Sequence, residues 1–290
     1  MSWIPIQSFP IDRDLTDLVE NLRSGGVNCR VIERNGEQVL FLDPAQQEAG
    51  RAILQRWEQG DYNNAPRSQT SLWHGLSLHQ LAQTPVTAIL LILSLAGYFV
   101  STLPALQHWQ FVLTLVPIEI VSGRWLAFGE LSDSLGRHEY WRLVTPAFLH
   151  FSILHLVFNG LWTWELGRRI EVLKGTSFAM GFFMVAAISG NLLQYYWSPE
   201  PSLLGGMSGV VYAYLGFLAV SHALKPHPLT AIPRGILMFM LIWLAIGFTG
   251  VIDFAISGSV ANAAHLGGLI AGVSIAAISL LFDRFFSEQK

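Results

Sequence analysis

The hydrophobic pattern of this 290-residue chain changes character near residue 85. Before that point apolar residues fall in short runs and helical stripes; after it they fall in blocks of about 20, the length a helix needs to cross the hydrocarbon core of a bilayer. Residues 3–8, 27–32 and 38–42 read as short strands. The last two join across Glu33-Arg34-Asn35-Gly36, whose Asn-Gly pair is a hairpin signal. Asp12 to Arg23 puts Leu15, Leu18, Val19 and Leu22 on one helical face, and Pro44 to Glu58 repeats the pattern with Ala49, Ile53 and Trp57. A small β-α-β-β-α accessory domain over residues 1–68 is expected. The polar, turn-rich run GDYNNAPRSQTS leads into a linker over 69–84.

The remainder, 85–285, holds apolar segments at about 85–105, 147–168, 176–197, 203–223, 233–252 and 260–282, so six transmembrane helices are expected. Arg168, Arg169 and Lys174 follow the second segment, and Lys225 and Arg234 lie between the fourth and fifth; the loops after the third and fifth carry neither residue type. By the positive-inside rule, the N-terminal domain and the C-terminus are cytoplasmic. The connection 106–146, with FVLTLVP and RWLAF, is too polar to span and apolar enough to lie partly in the outer leaflet.

Composition agrees with a membrane chain: 52% of residues are hydrophobic and only 13% charged, where a soluble domain averages roughly 25% charged. The net charge of −3 without a basic block gives no case for nucleic acid. Cys29 is the only cysteine, which rules out an intrachain disulfide and a Cys-based zinc site. The start, MSWIPIQSFPIDRD, has no basic leader or apolar core of signal-peptide length, and no cleavage is expected.

In this topology the second, fourth and sixth helices enter from the outer face, carrying His150, His155 and Asn159, then Ser208, then His265 to one depth. Ionisable residues at such depth mark function by default. A serine hydroxyl becomes a nucleophile when an imidazole takes its proton. Ser208 and His265 suit those roles, with Tyr212 one turn after Ser208 to pack on the imidazole. No Asp or Glu lies near His265 in its segment, so a dyad is expected. His155 and Asn159, spaced i, i+4, together with the Ser208 amide at a helix start, suit an oxyanion. Gly205 and Gly206 permit a tight turn before Ser208. Gly209, and the small-xxx-small run Ala264, Gly268, Gly272, permit close helix approach.

Other chemistries fit less well. His138-Glu139-Tyr140-Trp141-Arg142 lacks the second histidine of a zinc protease, and no metal or other cofactor is expected. Asp253 lies at a segment end, and no pair of carboxylates lies buried in facing spans as an aspartyl protease would need. A transporter would predict inverted repeats between the halves, and none is evident.

These motifs resemble those of the rhomboid family of intramembrane serine proteases, in its bacterial GlpG type, over nearly the whole chain. The matching residues are Trp141-Arg142, His150-Phe151-Ser152 with His155 and Asn159, Leu166-Gly167 with Glu171, Gly206-Met207-Ser208-Gly209 with Tyr212, and Ala264-His265 with Gly268 and Gly272. The resemblance implies a six-helix bundle with a small cytoplasmic α+β domain in the bacterial inner membrane, its active site opening to the periplasm. It implies Ser208 as nucleophile, His265 as general base and acid, and an oxyanion hole from His155, Asn159 and the Ser208 amide. His150, Tyr212, Gly206, Gly209, Trp141 and Arg142 support them, the last two by anchoring the embedded first loop. Helix five and the loop after it, around 248–259, would gate entry of substrates, which are transmembrane helices with small residues before the cut. A catalytically silent binder of membrane helices is the alternative within the same family.

Overall fold

The computed structural model describes residues 3–34, 36–59, 83–122, 125–198, 202–251 and 260–287. The expected linker lies mostly outside them, as do Asp253 and most of the loop after the fifth segment. The chain divides into two compact units, 1–75 and 76–290.

The first unit follows the expected order. Strands β1 (Ile4–Pro10), β2 (Cys29–Arg34) and β3 (Glu37–Leu42) form an antiparallel sheet of order β1-β3-β2, with helix α1 (Thr16–Ser24) between the first two strands and α2 (Gln47–Glu58) after the third. The β2–β3 hairpin closes at Arg34 opposite Glu37, with Gly36 at φ +81°; of the expected Asn-Gly pair, Asn35 lies outside the described residues. Leu15, Leu18 and Leu22 of α1 bury against Phe9, Leu40 and Leu42. The buried stripe of α2 is not the one expected: Gly50 and Leu54 face the core, Ile53 and Trp57 flank them half-buried, and Ala49 is exposed. A Cβ at Gly50 would overlap Leu42 Cδ1, so the helix turns its side-chain-free position onto the sheet. Cys29 is buried in this core, and burial pushes its thiol pKa up.

The second unit is helical: α3 (Pro85–Thr102), α4 (Gln107–Leu113), α5 (Leu131–Gly136), α6 (Ile153–Trp162), a π turn (Thr163–Gly167) running into α7 (Arg168–Lys174), α8 (Thr176–Trp197), α9 (Ser208–Leu224), α10 (Arg234–Gly247) and α11 (Asn262–Ser287). By length and composition, four stretches suit a membrane span: Pro85–Thr102, Thr176–Trp197, Pro228–Gly247 and Asn262–Phe282. The other two expected spans take different forms. The second is the run 153–174, interrupted by the π turn; it starts after residues 147–152, which the expectation had counted within it. The fourth is α9, only 17 residues long because 203–207 stay outside the helix. Eleven of those 17 residues are buried, so α9 is walled by protein and does not need the length of a lipid-facing helix.

Backbone contact through small residues sets the α9–α11 pair. A Cβ at Gly268 would overlap the Gly209 carbonyl oxygen, and one at Gly272 would overlap that of Ala213. Lipid supplies no hydrophobic drive between helices, so this close van der Waals contact is the main attraction available. The N-terminus of α3 is held from a distance: the buried Glu171 carboxylate accepts hydrogen bonds from Val86 N and Thr87 N, both 2.9 Å, and from Thr87 Oγ1, 2.8 Å. Two of the amides a helix start leaves unpaired are thus satisfied by the α7 carboxylate.

The connection from α3 to α6 contains α4, α5 and a hairpin of β4 (Ile118–Val121) and β5 (Trp125–Phe128) that no pattern in the sequence pointed to. Ile120, Val121 and Leu126 on it are exposed. Its base is fastened by the two residues expected to anchor it. Arg142, buried beside Glu139, donates to Phe111 O at 2.7 Å and Thr114 O at 2.9 Å, and Trp141 Nε1 donates to Val112 O at 3.1 Å.

Substituting Gly268→Ala should destabilise the fold by about 3 kcal/mol, at the upper end of overpacking. Gly181→Ala on α8, where nothing lies within 4 Å, should be neutral or stabilise by up to about 1 kcal/mol. Thermal unfolding in detergent separates the two.

Candidate active site

Ser208 is the first residue of α9, and His265 lies in the first turn of α11. Because Gly209 and Gly268 bring these helices to backbone contact, Ser208 Oγ and His265 Nε2 stand 2.7 Å apart. The opposite ring nitrogen, Nδ1, is buried with no hydrogen-bond partner among the described residues, so no acid among them orients the imidazole from behind. Orientation comes from Tyr212, whose ring stacks on that of His265 at 4.8 Å and 27° while its hydroxyl donates to Met240 O of α10 at 2.8 Å.

The second group gathers around the turn before Ser208. Gly206 has φ +118°, a conformation that favours glycine, and its amide donates to Pro146 O at 3.1 Å. His155 and Asn159 of α6 flank this turn: a Cβ on Gly206 would lie 2.6 Å from His155 Nε2 and 3.4 Å from Asn159 Nδ2. Ser152 caps α6 by accepting from His155 N at 3.2 Å. His150 does not sit on that helix, as had been expected. It precedes the cap, in a connection that is extended at Leu149 and Ser152, and its ring reaches the site. Its Nδ1 is 2.9 Å from Phe148 O, an acceptor only, so Nδ1 carries the hydrogen. Nε2 is then free to accept from Asn159 Nδ2 at 3.1 Å and, more weakly, from Met207 N at 3.5 Å. The His150 and His155 rings meet at 5.0 Å.

A cavity beside Ser208 is walled mainly by alanine and glycine, including Ala147, Ala186, Ala187, Gly190 and Gly205, together with Asn191, Leu204 and Val210. All ten residues singled out by sequence therefore either meet at this centre or, for Trp141 and Arg142, fasten the loop leading to it. Several polar residues next to the dyad carried no motif. Gln194 Oε1 accepts from Ala264 N at 3.0 Å, Asn191 Nδ2 donates to Leu143 O at 2.9 Å, and Asn262 Nδ2 donates to Gly247 O at 2.6 Å. Their signal was only that amide side chains are uncommon in apolar spans. Among the described residues, no three His, Cys, Asp or Glu gather as a metal site.

Residues 137–282 match the Rhomboid domain and residues 1–68 the Rhomboid N-terminal domain. Among relatives, proteins named Rhomboid protease GlpG from Yersinia pestis (strain Pestoides F) and Yersinia pseudotuberculosis (serotype O:3) are each 30% identical over 84% of both chains. One of the same name from Klebsiella pneumoniae is 28% identical over 96% of this chain and 98% of its own. The chain belongs to the rhomboid family. It is a membrane-embedded serine protease of that family, and the unit with the Ser208–His265 pair is its rhomboid domain.

Gly206→Ala should force His155 aside and strain the turn ahead of Ser208. Displacement of site groups by about 1 Å lowers turnover on the order of a hundredfold, which kcat for a transmembrane substrate would register.

Proposed function

We propose that this rhomboid protein is an endopeptidase that hydrolyses peptide bonds within or near transmembrane helices of other membrane proteins by a Ser208/His265 dyad. The observation that carries this reading is the 2.7 Å contact between Ser208 Oγ and His265 Nε2 inside an apolar bundle. As Oγ attacks the scissile carbonyl carbon, its proton passes to His265 Nε2 and the carbonyl π electrons move onto oxygen. Collapse breaks the C–N bond, and His265 returns the proton to the leaving amine. Water then gives up a proton to the same nitrogen and hydrolyses the acyl ester, regenerating Ser208.

The oxyanion would be received by the Ser208 amide at the start of α9, by His155, and by the Asn159 amide, which has a second N–H beyond the one directed at His150. His150 and Tyr212 act as positioning residues for Asn159 and His265. Helix-bound carbonyls are already hydrogen-bonded, so a substrate helix must unwind locally before attack, and sequences that unwind readily are favoured. The alanine and glycine walls beside Ser208 support a preference for a small side chain before the cut.

We place the catalytic body at residues 85–285, with 1–68 as an accessory domain and 69–84 as linker. The Lys and Arg distribution supports cytoplasmic termini, and the bacterial relatives support the inner membrane with the site facing the periplasm.

Purified Ser208→Ala and His265→Ala should each lose at least about 10⁴-fold in cleavage of a transmembrane substrate with folding intact. Cleavage surviving Ser208→Ala would defeat the mechanism. Enlarging the substrate residue before the cut from Ala to Leu should lower kcat/KM roughly tenfold or more. Deleting residues 1–68 should leave cleavage in detergent unchanged.

A further inference from the structure

The dyad leaves one proton without a destination. Nε2 of His265 lies 2.7 Å from Ser208 Oγ, and a neutral imidazole that accepts the serine proton there carries its own hydrogen on Nδ1. That Nδ1–H is buried with no hydrogen-bond partner among the described residues. Tyr212 stacks on the face of the ring, so it takes no hydrogen bond from the ring edge. The need grows during the reaction. Once Nε2 holds the Ser208 proton the ring is a cation, and a buried cation with an N–H left unpaired is costly in an apolar bundle.

A matching acceptor stands in the same turn. Asn262 lies three residues before His265 at the start of α11, a spacing that puts two side chains side by side on one helical face. Its Nδ2 donates to Gly247 O of α10 at 2.6 Å, which fixes the amide in one orientation and leaves Oδ1 as an acceptor. Oδ1 is also buried, and among the described residues it receives no hydrogen bond. Only four buried side-chain atoms among those residues lack a partner, and two of the four are this donor and this acceptor on neighbouring positions. Cβ atoms at that spacing lie about 5–6 Å apart, a gap that one water with polar partners on both sides closes.

We propose that Asn262 is the positioning residue of the dyad: its Oδ1 receives the Nδ1–H of His265 through one bound water. The water accepts from Nδ1 and donates to Oδ1, and no proton leaves either group. The link holds the imidazole in the tautomer that can accept from Ser208, and it strengthens as the ring becomes charged. An amide oxygen on the helix of the base thus takes the place that a separate side chain holds in a triad. The proposal rests on the Ser208/His265 reading.

The test uses full-length protein in detergent and two readouts. One is cleavage of a transmembrane substrate; the other is the rate at which a small fluorophosphonate labels Ser208, a step that needs the base but no room for a substrate helix. Asn262→Ala should lower kcat and the labelling rate by the same factor, on the order of ten- to a hundredfold, with KM unchanged. Asn262→Asp keeps an oxygen at the acceptor position and should recover most of what Asn262→Ala loses. Gly247→Ala crowds Oδ1 from the side of α10 and leaves the sequence of α11 intact, so it should slow labelling as well; it decides the matter if Asn262→Ala does not fold. Labelling at the wild-type rate in both Asn262→Ala and Gly247→Ala overturns the proposal. So does equal loss in Asn262→Ala and Asn262→Asp, which would mean that only the Nδ2 bond to Gly247 matters. Cleavage that survives Ser208→Ala would instead defeat the dyad itself, a result that is read without any change at Asn262.

Discussion

The contact on which the site depends is the one between Gly209 and Gly268. Two helices in lipid gain nothing from burying apolar surface against each other, so their separation is set by how closely their backbones can pack. Here a glycine on α11 meets the carbonyl of a glycine on α9, and the next turn repeats the arrangement with Gly272 and Ala213. At that separation a serine at the start of one helix and a histidine in the first turn of the other are in hydrogen-bond contact. A side chain at either crossing would separate hydroxyl from imidazole, although neither glycine is part of the chemistry.

The same scarcity of water explains the polar framework. A buried polar group without a partner costs free energy, so most are tied to a specific acceptor or donor, His265 Nδ1 being an exception among the described residues. Glu171 caps α3 from the neighbouring α7, Arg142 collects the carbonyls of the first loop, and His150 passes a hydrogen-bond chain from Phe148 O to the Asn159 amide. The stretch containing α10 is less buried than the other long apolar stretches; Met240 and Leu244 enter the core, and Tyr212 and Asn262 bond its backbone. Through the stacked Tyr212, the position of α10 is felt at His265.

Much of this was legible in the sequence because the signals are local. Apolar block lengths located four of the six expected spans, a 3.6 period located α1, and Gly205-Gly206 ahead of Ser208 located the turn. The departures come from places where the period or block length does not specify what lies opposite. Ala49 was expected inward on α2, but Leu42 leaves room only for Gly50. His150 was counted within a helix, although Ser152 caps that helix from its own start. The hairpin at 118–128 has strands of four residues, too short for alternation to stand out from the apolar run containing it.

The sequence by itself determined the membrane class, the two-part organisation, the order of the segments and which residues carry the side chains proposed here for acyl transfer, since composition, block length and residue chemistry are properties of the chain. The tertiary structure alone decided the distances: that Nε2 of His265 and not Nδ1 faces Ser208, that His150 serves Asn159, that Glu171 caps a helix 85 residues earlier, and that Asn262 grips Gly247. These are contacts between segments far apart in the chain. Such pairs meet only when the packing of small residues has fixed how closely, and at what height, the helices pass.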